Sequence, residues 1–219
     1  MASRVSRSDP RLPELTLPAV ELAPLLLGCL LVRREGSEDG VQHRRAGVIV
    51  ETEAYPGGED RASHTFGGRR TVRVASMWRR GGRAYVYFTY GMHHCVNVVS
   101  GPEGSGEAVL IRAIEPCEGW ARMLEARNGR RNRPPPAEPG WLCGGPARLC
   151  TALAIDRRLD GVDLADPRSE LGLEPPRRVW VGPRRLAAGP RIGVAYAGAW
   201  ATRPWRFWIR GSPFVSRGG

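Results

Sequence analysis

The stretch best equipped for chemistry reads Ala46-Gly47-Val48-Ile49-Val50-Glu51-Thr52-Glu53-Ala54-Tyr55. Its β-branched residues predict a strand, and strand alternation sends Ile49, Glu51, Glu53 and Tyr55 to one face. A carboxylate on that face can serve as a general base, and Tyr55 sets a flat ring beside it. Further along, Ala84-Tyr85-Val86-Tyr87-Phe88-Thr89-Tyr90-Gly91 predicts a second strand running into a tight turn. There Tyr85 and Tyr87 share one face and Val86 and Phe88 the other, so one face can line a pocket while the other joins the core. An acid beside stacked rings describes a pocket for a planar base. Plainer readings exist for each part: Glu53 as a solvated acid paired with an arginine, and the tyrosines as ordinary core.

The chain has 219 residues, with 33 Lys+Arg against 22 Asp+Glu and a formal charge of +11. That length fits one fairly large domain able to bury a core without disulfides. Its positive excess predicts contact with a polyanion, which makes nucleic acid the leading partner class. Every basic residue other than histidine is arginine; lysine is absent. A side-chain Schiff base with a sugar aldehyde is therefore ruled out, since that chemistry needs an amine. Cys29, Cys95, Cys117, Cys143 and Cys150 form no C-x-x-C pair and predict reduced, mostly buried thiols. His93 and His94 are adjacent on an expected strand and point apart. No metal and no other cofactor is expected. No apolar run approaches a membrane span and no signal-peptide core stands at the N-terminus, so a cytoplasmic, nucleoid-associated protein without membrane contact is expected. Nothing calls for an oligomer, and a monomer is expected.

The elements that must position these residues read as an α+β fold. Residues 1–12 read as a loose arm and 13–219 as a single domain. Leu17 to Leu31 predicts a short helix interrupted at Pro24, leading into a strand at Leu30-Leu31-Val32-Arg33. Pro56-Gly57-Gly58 ends the carboxylate strand. Residues 56–83 form a long irregular basic tract, and such loops are more often functional than ornamental. The tyrosine hairpin, with strands 84–89 and 93–99, protrudes beyond it, and a further strand covers 107–114. Short turns between these strands predict a mainly antiparallel curved sheet. Helices are expected over Glu118–Arg127 and from Pro146 toward Ile155, on either side of a mobile Pro/Arg-rich loop at 128–140. Strands return over 178–208.

In order along the chain, VETEAY (50–55), His64, TVR (71–73), YVYFTYGMHHCVNV (85–98), VLIRAIEP (109–116), GPARLCTALAI (145–155), RIGV (191–194) and RFWIRGSPFVS (206–216) resemble the alkyladenine (3-methyladenine) DNA glycosylase family. The resemblance spans the chain beyond the N-terminal arm. It implies an enzyme that flips alkylated purines such as 3-methyladenine and 7-methylguanine, and by extension hypoxanthine or ethenoadenine, out of duplex DNA. The N-glycosidic bond is then hydrolysed, which begins base excision repair. Glu53 matches the family's catalytic carboxylate, and Arg112 the residue that orients it and the water. Tyr55, His64 and Tyr87 match the residues that sandwich the flipped base, where stacking contributes roughly 1–3 kcal/mol per base. Asn97 matches the residue that crowds the guanine 2-amino group. Tyr90 matches the wedge that fills the vacated stack, and Arg69, Arg73 and Met77 match positions at the DNA.

The chain departs from the family at Val72, Val74, Ala75 and Ser76, where Pro, Asn, Arg and Gly are more usual, and Trp78 replaces a Phe. Altered loop geometry and a weaker grip on DNA are expected there. A reading from another class is a non-catalytic binder of distorted nucleic acid. It would need Tyr90 and the arginines but has no use for Glu53 with Arg112.

Overall fold

The computed structural model describes residues 11–36, 42–129, 138–176 and 185–216. Most of the expected arm, the center of the 128–140 loop and the start of the expected C-terminal strands lie outside the described residues. Helix α1 (Ala19–Leu25) carries Pro24 in its last turn and leads into β1 (Leu30–Gly36). The carboxylate strand β2 spans Gln42–Tyr55 and is longer at its start than expected. The hairpin forms from β3 (Ala84–Thr89) and β4 (His93–Ser100), followed by β5 (Glu107–Glu118). Helices α2 (Trp120–Asn128) and α3 (Pro146–Ala152) come next, and Pro146 occupies the first turn where its missing N–H costs nothing. Three short strands complete the described chain: β6 (Leu171–Glu174), β7 (Leu186–Gly189) and β8 (Arg206–Ile209).

All eight strands belong to one antiparallel sheet, ordered β3-β4-β5-β2-β1-β6, with β8 joining β2 and β7 joining β8. The architecture is α+β. Strand β2 pairs with β5 over most of its length. Opposite β5 it pairs first with β1 through Val48, then with β8 at Glu51–Glu53. Two register shifts interrupt the β2–β5 ladder around Glu51: Ile49 faces Ile114, Glu51 faces Ala113 and Thr52 faces Ile111, leaving Val50 and Arg112 without opposite partners. Such bulges bend a strand and re-aim side chains. Ile49 consequently does not share a surface with Glu53 as simple alternation predicts; it packs into the main core.

Alternation does hold on β3, β4 and β5. Ala84, Val86, Val96, Val98, Val109 and Ile111 enter the main core with α1 and α3. Their neighbors Tyr85, Tyr87, Asn97, Leu110 and Arg112 face the other way and line a cavity. Under that second face, Val74, Met77, Tyr85, Val99 and Ala108 form a small separate core.

The basic tract is more ordered than its composition predicts. Residues Val72–Trp78 wind into a 3-10 helix whose buried side consists of Val74, Ser76 and Met77. Two of the four departures therefore pack inward, while Val72 is 89% exposed and Ala75 faces solvent. The Ser76 hydroxyl donates to Asp160 Oδ1 at 2.9 Å, and the same oxygen accepts the Val86 backbone N–H of β3 at 2.9 Å. Trp78 presents its ring to Arg70, whose guanidinium carbon lies 3.9 Å from the ring center. Asp160 thus joins the basic tract to the tyrosine strand. In an Asp160→Ala variant the buried Val86 N–H loses its acceptor, and an urea titration should show a stability loss of about 2 kcal/mol. Ser76→Ala, which removes only the hydroxyl bond to Asp160 and keeps that of Val86, should lose about 1 kcal/mol.

Candidate active site

A cavity of about 230 Å³ opens on the concave face of the sheet. Its walls include Tyr55 from β2, Tyr85 and Tyr87 from β3, Asn97 from β4 and Arg112 from β5. His64 comes from the long connection and Ile192–Val194 from the loop after β7. A lining of flat rings interspersed with polar groups such as Ser63, His64, Asn97 and Arg112 suits one planar heterocycle with hydrogen-bonding edges. Tyr85 and Tyr87 stack with centers 5.4 Å apart, and His64 meets Tyr87 edge-on at 4.7 Å. His64 Nδ1 and the Tyr85 hydroxyl lie 2.8 Å apart, which fixes the imidazole plane. Asn97 Nδ2 donates to the Tyr85 carbonyl at 3.0 Å, so its amide orientation is also set.

Glu53 is fully buried immediately behind this wall. Tyr55 Oη donates to Oε2 at 2.9 Å, the Ile192 N–H donates to Oε1 at 2.7 Å, and Arg112 Nη1 lies 3.3 Å from Oε1. All three residues line the cavity, so the carboxylate is one hydrogen bond from its interior. Glu51 lies beyond, also fully buried, and takes Arg112 Nε at 3.1 Å and Arg206 Nε at 2.6 Å. Both of its oxygens are bonded to Ser216, through the backbone N–H at 2.7 Å and the hydroxyl at 2.8 Å. Two carboxylates and two guanidiniums balance in charge, the condition under which buried ions are tolerable.

A second buried pair supports the same wall. Arg191 and Asp60 are both without exposed side-chain surface and form a two-point contact, with Arg191 Nη2 2.9 Å from Oδ1. The Arg191 guanidinium lies between the rings of Tyr55 and Trp205, 4.7 and 5.0 Å from their centers. It therefore backs Tyr55 while anchoring the loop that presents the Ile192 N–H to Glu53. Of Glu51's partners Arg112 was expected at the site, but Arg206 and Ser216 were not, nor was the Asp60–Arg191 pair. The available signal was the pairing of charged residues with otherwise apolar or glycine-rich motifs, RIGV (191–194) and RFWIRGSPFVS (206–216).

The remaining expected residues fall in two groups. Tyr90 is 86% exposed at the hairpin tip, beside the cavity mouth, with φ of 51°. A left-handed tyrosine costs about 1 kcal/mol, and Gly91 follows it with φ of 67°. Arg69 is exposed, and Arg73 leans over the Tyr87 ring with Nη2 on the Phe88 carbonyl at 3.2 Å. Met77 is different. It was expected at the DNA surface but is 2% exposed, held under Tyr85 by Val74 and Val99, and forms cavity floor instead. Among the described residues no group of three or more His, Cys, Asp or Glu is placed to hold a metal ion, and no helix is long and apolar enough to cross a membrane.

Burial pushes the Tyr55, Tyr85 and Tyr87 phenols upward, so all three are neutral rings and hydrogen-bond donors. Burial, reinforced by Arg73 and Arg69, lowers His64 from 6.5 to about 4. The folded protein therefore binds a proton at His64 less readily than the unfolded chain. This contribution to stability is complete above pH 6.5 and is lost as pH falls toward 4. Between those limits wild type should lose on the order of 3 kcal/mol more than His64→Gln, read from urea midpoints at pH 7.5, 6, 5 and 4.

Comparison with known proteins matches these features to one group. The family model for methylpurine-DNA glycosylase covers residues 14–213. The chain is 45% identical over 201 residues to a DNA-3-methyladenine glycosylase of Mus musculus, covering 91% of this chain and 58% of that protein. It is 45% identical over 205 residues to the Homo sapiens protein of the same name, covering 91% and 65%. A putative 3-methyladenine DNA glycosylase of Bacillus cereus is 42% identical over 198 residues, covering 90% and 94%. The chain thus spans less than two thirds of the two mammalian relatives and nearly all of the bacterial one. With the family model matched from 14 to 213 and relatives at this identity in both bacteria and mammals, the chain belongs to the methylpurine-DNA glycosylase family.

Proposed function

We propose that the protein is a monofunctional DNA glycosylase that flips alkylated purines out of duplex DNA and hydrolyses the N-glycosidic bond. The observation that carries this reading is Glu53, held by Tyr55, Ile192 and Arg112 directly behind an aromatic cavity whose mouth bears the exposed Tyr90. A purine inside a duplex cannot be reached without leaving the stack, and Tyr90 is placed to fill the gap it leaves. The extruded base stacks on Tyr55 and Tyr87 beside His64. Because His64 is neutral at pH 7, it bonds a cationic base without repelling it. Asn97, fixed at the cavity wall, meets the edge of the base where guanine carries its 2-amino group.

Water then attacks C1′ of the sugar while the bond to the base nitrogen breaks and its electron pair leaves with the base. Glu53 takes the water's proton, and Arg112 holds the carboxylate in place. An N3- or N7-alkylated purine is already cationic and departs neutral. A neutral lesion such as hypoxanthine needs a proton, and the cavity offers buried phenols and an imidazole neutral at pH 7. 3-Methyladenine and 7-methylguanine are therefore the favored substrates, with hypoxanthine and ethenoadenine poorer. With no lysine in the chain, the sugar product is released without side-chain imine chemistry, as an intact abasic site.

The deciding assay is free-base release from alkylated duplex DNA. Wild type should release base, while Glu53→Gln should be slower by at least a hundredfold, on the scale of a lost general base. Tight lesion binding by both with release by neither would establish a non-catalytic binder instead. Tyr90→Ala should bind lesion duplex roughly tenfold more weakly or worse, read by fluorescence anisotropy. Equal affinity would remove Tyr90 from the role of wedge.

A further inference from the structure

Glu51 has no place in the proposed step: the partners of Glu53 all line the cavity, whereas Glu51 reaches the cavity wall only through Arg112 and is otherwise bonded to Arg206 and Ser216 behind it. Yet four donor groups from three residues converge on it. Arg112 Nε, Arg206 Nε and the Ser216 hydroxyl converge on Oε1, and the Ser216 N–H takes Oε2. Arg112 is shared between the two acids, with Nε on Glu51 at 3.1 Å and Nη1 on Glu53 at 3.3 Å. An arginine facing Glu53 alone would hold it firmly as an anion and make it a poor acceptor for the water's proton. In a site closed to solvent such an effect is weakly screened.

We propose that Glu51 is a positioning residue that sets the basicity of Glu53 by taking up part of the Arg112 charge, with Arg206 as the counterweight. This rests on the reading of Glu53 as the general base. The groups around Glu53 are consistent with that division. From β2 come Glu51 and the Tyr55 hydroxyl, from β5 Arg112, and from β8 Arg206, which is paired with Glu53 in register but gives its guanidinium to Glu51. Tyr87 and Cys95 approach from β3 and β4 as neutral groups, since burial raises both. The loop after β7 supplies only the Ile192 N–H, because the neighboring Arg191 is committed to Asp60. Glu51 is thus the negative charge, and Arg112 and Arg206 the positive charges, that govern the base.

The two partners of Glu51 give predictions of opposite sign. Single-turnover release of 7-methylguanine from duplex DNA would be followed from pH 5 to 8 for wild type, Glu51→Gln, Arg206→Gln and Glu53→Gln. In Glu51→Gln the acidic limb should move down by about one pH unit, with the plateau rate about threefold lower and lesion affinity unchanged. In Arg206→Gln the limb should move up. Limbs that coincide with wild type, or that move in one direction for both variants, overturn the proposal while leaving Glu53 as base if Glu53→Gln is inactive. Full release by Glu53→Gln, or none by wild type, overturns the proposal together with the reading beneath it. Should Glu51→Gln fail to fold, the Arg206→Gln profile decides alone: an upward limb supports the proposal and an unmoved one overturns it.

Discussion

Burying two carboxylates side by side is the constraint around which this molecule is organized. An unpaired buried charge costs several kcal/mol, so Glu51 and Glu53 are possible only where every lone pair that faces protein finds a donor. The donors come from across the chain: Arg112 on β5, Arg206 on β8, Tyr55 on β2 itself, Ile192 in a loop and Ser216 near the end. Strand β8 is drawn onto β2 where the acids lie, with Glu51 opposite Trp208 and Glu53 opposite Arg206. Each element that closes the fold at this end also satisfies a charge, so the packing of the domain and the polarity of the site are one arrangement.

The sheet divides these tasks by its pleat. One face of β3, β4 and β5 is continuous apolar core, and the other carries rings, an amide and a guanidinium around a cavity. The tyrosine strand lies at the sheet edge, where a free row of backbone groups would invite pairing with another chain. Here that edge is occupied. Asp160 accepts from the Val86 N–H, the Gly161 and Val162 backbones bond Ala84, and Arg157 and Arg73 donate to the Val86 and Phe88 carbonyls. The same contacts stiffen the strand that holds the stacked rings, and through Ser76 they tie it to the arginine tract.

Much of this could be read from local pattern. The hairpin, the division of Ala84–Tyr87 into pocket and core faces, Glu53 with Tyr55, and the exposed tip at Tyr90 all follow from a period of two and from turn chemistry; Phe88, expected on the core face, is instead exposed near the tip. What stayed hidden was nonlocal. Glu51 meets Arg206 and Ser216 at separations of 155 and 165 residues, and Asp60 meets Arg191 at 131, distances over which periodicity carries no information. The bulges that aim Arg112 leave no trace in composition, so Ile49 was expected beside Glu53. Met77 was expected at the DNA from its match to the family; the 3-10 helix instead turns it, with Val74, inward under Tyr85.

The paired irregularities at Val50 and Arg112 bear on how this protein can change over time. Each strand holds one residue more than its partner at adjacent points, so the two offsets cancel and both flanks of the ladder remain in phase. Adding or deleting a residue between Ile49 and Glu53 would exchange the faces of everything beyond it, turning Glu53 toward α1 and Ala54 toward the cavity. This segment is therefore held in length as firmly as in its two acids. Changes in length must be absorbed by turns such as 101–106, which lie away from the acids and set no register between them.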